Sequence, residues 1–123
     1  MNIAIQNRQH RKVLPATLLG TVTRIGYYRD TLPKLIITVK KEELVDIPLR
    51  EGERLPVPFI IDGRHFTAGV RTTRLSRTVM ICPDLNDSDQ NVFRLADLLY
   101  CHGGNMKNSR IELVIEDGVI NCF

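Results

Sequence analysis

The stretch VPFIIDGRHFTAGV, residues 57–70, decides the fold class. Two strand-like runs, around Val57–Ile61 and from Arg64 to Val70, flank Asp62–Gly63. An Asp-Gly pair between alternating apolar runs favours a two-residue hairpin, because both residues tolerate positive φ. The chain closes in the same style with RIELVIEDGVINCF, residues 110–123, whose turn is Asp117–Gly118. There Ile111, Leu113 and Ile115 alternate with Glu112, Val114 and Glu116, the period of a half-buried strand.

Working outward, LLGTVTRI (Leu18–Ile25) mixes β-branched and polar residues in near alternation, and LIITVKK (Leu35–Lys41) is an apolar, β-branched run typical of an interior strand. Gly26 and Pro33 punctuate the segment between them. KEELVDI allows one helical turn before Pro48, and a further strand runs over Thr78–Cys82. PDLNDSDQ is a series of turn formers in which Ser88 or Asp89 is expected to cap a helix. That helix would carry Val92, Leu95, Leu98 and Leu99 on one face and stop at Gly103 or Gly104. About seven strands and one or two short helices predict a mostly-β barrel or sandwich. Residues 1–14 are polar and aperiodic and read as an arm or loose edge strand, leaving 15–123 as a single domain.

The 123 residues, 43% apolar and 25% charged, suit one ordered core. No apolar run approaches the roughly 20 residues that span a bilayer, and the start MNIAIQNRQHRK lacks a signal-peptide core. Cys82, Cys101 and Cys122 form no CxxC pair and read as reduced, structural cysteines of a cytoplasmic protein.

Net charge is only +3, but its distribution is uneven. Residues 1–41 hold eight Lys/Arg against Asp30 alone, and residues 63–78 hold four arginines and no acid. The remainder has five Lys/Arg and thirteen Asp/Glu. Two basic segments on an acidic body imply a one-sided field wherever the fold brings them together, and two merely solvated loops where it does not.

No catalytic motif stands out. Pro83–Asp84 could open a metal-binding carboxylate motif, yet no Asp-x-Lys or Glu-x-Lys follows. His10, His65 and His102 lie in separate segments, and Cys82, Cys101, His102 and Cys122 lack the paired spacing of a zinc site. Gly103–Gly104 is not followed by the Lys-Ser/Thr of a phosphate loop, so neither a metal nor a cofactor is expected. Binding is better supplied. RTTRLSRT (Arg71–Thr78) offers three Arg, three Thr and one Ser, and GYYRDTLPK adds Tyr27, Tyr28, Arg29, Asp30, Thr31 and Lys34. Arginine forks pair with phosphate or guanine edges, hydroxyls bond phosphates, and Asp30 could accept from cytosine N4. Tyr27 and Tyr28 read equally well as packing residues.

The order of elements and the segment Lys34-Leu35-Ile36-Ile37-Thr38-Val39-Lys40-Lys41 before a short helix resemble the DNA-binding pseudobarrel of plant transcription factors, the "B-three" domain. The same fold occurs in effector domains of EcoRII-like restriction endonucleases. Val39 stands where the family usually has Pro, and the plant Trp is missing, which favours the prokaryotic branch. The resemblance implies a seven-stranded open pseudobarrel without catalytic activity, whose two loops grip the major groove of double-stranded DNA. The first jaw would be Tyr27, Tyr28, Arg29, Asp30, Thr31 and Lys34, and the second Arg71, Thr72, Thr73, Arg74, Ser76 and Arg77. Six or so phosphate contacts would then give a salt slope of roughly −5. A nuclease domain or partner subunit would be a further partner. The alternatives are a small β-barrel regulator, an antitoxin-like protein-interaction module, a swapped-hairpin dimer, or a metal-dependent hydrolase.

Overall fold

The computed structural model describes residues 15–44, 46–103 and 109–122, with the end of its helix (101–103) given by backbone alone. The proposed arm at 1–14, Gly104, and the side chains of Cys101 and His102 lie outside the described residues. In chain order the elements are β1 (Ala16–Tyr27), β2 (Pro33–Lys40), a 3-10 turn (Lys41–Glu43), β3 (Leu55–Ile61), β4 (Arg64–Arg71), β5 (Thr78–Asn86), β6 (Val92–Arg94), α1 (Leu95–Gly103), β7 (Arg110–Glu116) and β8 (Val119–Cys122).

Neighbouring strands run β2-β1-β7-β8-β3-β4-β5, and β5 pairs back onto β2. This closes a seven-stranded barrel within one chain, where an open one was expected and a swapped hairpin was an alternative. Closure comes from antiparallel pairing of Ile37–Lys40 with Thr78–Ile81, which removes the free edges that an open sheet would expose. The other barrel pairings are antiparallel except β3 with β8, which is parallel.

Local chemistry accounts for most of this. Asp62 and Gly63 both take positive φ (51° and 74°), as do Asp117 and Gly118 (52° and 76°). These are the conformations of a primed two-residue turn, whose twist matches the flanking strands. Inward residues alternate along each strand. Leu18 and Val22 of β1, Val57, Phe59 and Ile61 of β3, and Ile111, Leu113 and Ile115 of β7 are all buried in one core. β2 is buried on both faces at Leu35, Ile36 and Ile37, and α1 packs on β2 and β5. That explains why LIITV reads as continuously apolar. Gly20 lets β1 pack closely on β2, since a Cβ there would stand 2.5 Å from Ile37 Cγ2.

The segment 83–94 departs from expectation. Pro83–Asn86 prolong β5, and Val92–Arg94 form β6 against it rather than the first turn of a helix. Neither Ser88 nor Asp89 is a cap. Asp87 organises the connection instead, accepting the amides of Asp89 and Asn91 at 2.9 and 2.8 Å. Burial works against the charge on Asp87, but these bonds outweigh it and hold its carboxyl below the usual range.

Candidate nucleic-acid interface

The two basic loops occupy opposite ends of the barrel. The first, between β1 and β2, lies where β2 begins, and the second, between β4 and β5, lies where β5 begins. Because β2 and β5 are antiparallel, with Lys40 opposite Thr78, those two beginnings point away from each other. Eight residues of β2 separate the loops, a span of roughly 23 Å at about 3.3 Å per residue. A major groove is about 12 Å wide. The two groups of candidate residues therefore form two surfaces at opposite ends of the β2–β5 pair, farther apart than one groove is wide.

At the β1–β2 end most of the named side chains are already committed. Tyr28 donates its hydroxyl to Asp84 Oδ1 at 2.6 Å, with the Arg94 guanidinium 3.8 Å from its ring centroid and Lys34 Nζ at 4.9 Å. Burial, then the hydrogen bond and charge of Asp84, push the phenol's pKa well up, so it stays a donor. Asp30 bonds Arg94 at 2.7 Å and accepts the Leu32 amide at 3.2 Å, and the Arg94 bond first of all holds its carboxyl below the usual range. Each Asp30 carboxylate oxygen thus already accepts one hydrogen bond within the protein. Thr31, with φ of 69°, donates to the Asp30 carbonyl. Tyr27 is exposed beneath Arg24, whose guanidinium sits 4.8 Å from its ring centroid. Of the first six candidates only Arg29 projects as an exposed charge with no ion pair or hydrogen bond among the described residues.

The β4–β5 end is built differently: the backbone is fastened and the arginines are left over. Ser76 N–H donates to the Thr73 carbonyl at 3.2 Å, forming a tight turn with Arg74 and Leu75 in its central positions. Thr72, only 4% exposed, donates its hydroxyl to the Thr78 carbonyl at 3.0 Å. Ser76 Oγ donates to the same carbonyl at 3.0 Å and accepts the Thr78 amide at 3.1 Å. Thr72 and Ser76 thus shape the loop, where the sequence had offered them as DNA contacts.

Three further bonds come from neighbouring segments. The Gly52 amide donates to the Thr72 carbonyl and the Lys41 amide to the Arg77 carbonyl, both at 2.9 Å. Lys41 Nζ reaches the Thr73 carbonyl at 3.3 Å and Glu51 at 3.5 Å. Against this frame, Arg71, Arg74 and Arg77 are exposed and make no side-chain hydrogen bond or ion pair among the described residues. Exposed Lys40 joins them because β2 ends opposite Thr78. A groove beside the loop is lined by Lys40, Lys41, Glu42, Ser76, Arg77 and Thr78.

Lys40 and Lys41 were visible as a basic pair, but only strand pairing sets them beside Arg77. Arg94 and Glu51 carried no signal, since each acts through a partner distant in sequence.

Among the described residues no three His, Cys, Asp or Glu side chains group as metal ligands would, and no helix is long and apolar enough to cross a membrane. Cys82 and Cys122 are buried free thiols, and burial pushes the Cys122 thiol up to about 12. No protein-family model, curated protein or solved structure matches the chain.

Proposed function

We propose that this barrel binds double-stranded DNA through its β4–β5 end alone, with no catalytic chemistry of its own. One observation carries the reading. Arg71 at the end of β4, with Arg74 and Arg77, stands on or beside a loop that the Thr72 and Ser76 hydroxyls fasten, and no carboxylate among the described residues neutralises them. A cation cluster without internal counter-charge is suited to an external polyanion, and arginine's planar fork matches phosphate better than a point charge does. Lys40, Arg71, Arg74 and Arg77 would fix the barrel on the sugar-phosphate backbone, and Arg74, whose five donors allow it, would also reach base edges from the turn. Such a domain would serve as the recognition part of a restriction enzyme or as a small regulator, any cleavage belonging to another domain.

The test is selection from a random duplex pool by the full chain, followed by anisotropy on the recovered sequence. Recovery of a short motif that Arg74→Ala loses and Arg29→Ala keeps is the expected outcome. Binding that ignores duplex DNA and follows an acidic protein would replace this reading with a protein-interaction module.

A further inference from the structure

Resting on that reading, we infer that Leu75 is an apolar wedge that enters the minor groove and unstacks a base step. Leu75 is 93% exposed, far more than Tyr27 at 57% or Val92 at 65%. It sits in the Thr73–Ser76 turn beside Arg74, with Arg77 two residues on. A leucine this exposed gains nothing in the free protein, and the loop beneath it is fastened, so it cannot fold back onto the barrel without breaking the Thr72 and Ser76 bonds to Thr78. A rigid turn with one aliphatic side chain between two arginines has the parts that minor-groove binders use: basic side chains drawn to the groove's negative potential, and an apolar wedge that opens one step and kinks the duplex. The narrow groove, about 6 Å wide, suits a single turn better than the major groove does. A lipid surface is the competing home for a basic loop with an apolar tip. Interfacial elements, however, lay a whole apolar face into the headgroups, whereas a base step takes one side chain.

The experiment uses the full chain and a 20-base-pair A·T-rich duplex with 2-aminopurine at a central TA step and a fluorophore pair at its ends. Anisotropy reports binding, 2-aminopurine emission reports unstacking, and energy transfer reports bending. Wild type should bind, raise the emission several-fold and shorten the end-to-end distance. Leu75→Ala should bind roughly tenfold more weakly with no rise in emission, and Leu75→Met should restore it. Because Leu75 is almost wholly exposed, both variants should keep the wild-type melting temperature. Wild-type binding without any rise in emission, or an equal rise with Leu75→Ala, overturns the wedge and leaves the DNA reading standing. No binding to this or a random duplex at low salt, with Leu75-dependent binding to phosphatidylserine vesicles instead, overturns both.

Discussion

Neutralising single arginines at the two ends of the barrel should have unequal effects on salt dependence. Among the described residues four cations at the β4–β5 end, Lys40, Arg71, Arg74 and Arg77, have no acidic partner, while Lys41 is held by Glu51 at 3.5 Å. Each neutralised phosphate contributes about −0.9 to the slope of log K against log salt, so four give about −3.6. Affinity should then fall roughly 150-fold between 50 and 200 mM salt. Arg74→Ala removes one contact, which brings the slope to about −2.7 and the loss to roughly 40-fold. Arg29→Ala should leave the slope at about −3.6, because its loop is on the far side of the β2–β5 pairing. Anisotropy on one labelled duplex across a salt series measures all three proteins. Equal flattening by Arg29→Ala and Arg74→Ala would show that both ends engage DNA and refute the one-ended geometry. A slope near zero for wild type would refute phosphate contact altogether.

Three further outcomes test the frame. Tyr28→Phe removes a 2.6 Å bond to Asp84 in a partly exposed setting and should cost about 1 kcal/mol, read as a melting temperature lower by about 4 °C. DNA affinity should be unchanged, and a fall in it would tie the β1–β2 end to binding. Gly20→Ala forces a methyl to 2.5 Å from Ile37 Cγ2 and 3.3 Å from Leu113 Cδ1; urea unfolding should show a loss of about 1–3 kcal/mol, and a neutral result would contradict the close β1–β2 packing. Since burial puts the Cys122 thiol near 12, about one part in ten thousand is thiolate at about pH 8. Labelling of Cys122 at that pH, followed by peptide mapping, should therefore require denaturant.

Much of the scaffold was legible because its determinants are local. Each Asp-Gly pair specifies a turn through the positive φ its residues tolerate, and the alternation through Ile111–Ile115 specifies which side faces inward. The misreading at 83–94 has a physical cause too. Leu95, Leu98 and Leu99 are buried as the helical spacing implies, but Val92 is 65% exposed in a three-residue strand. An apolar residue three places before Leu95 mimics a helical face whether or not the backbone there is helical.

The sequence by itself determined the seven strands of the barrel, the two tight turns, the apolar second strand, and where along the chain the arginines are concentrated. Those properties depend on neighbours within a few residues. Tertiary structure alone decided that the barrel closes and which charges share a surface. The pairing of Lys40 with Thr78 is antiparallel, and strand direction in a long-range pairing is written in no local pattern. It set Lys40 and Lys41 beside Arg77, sent Arg29 to the other end, and enlisted Thr72 and Ser76 as struts for the arginines they accompany.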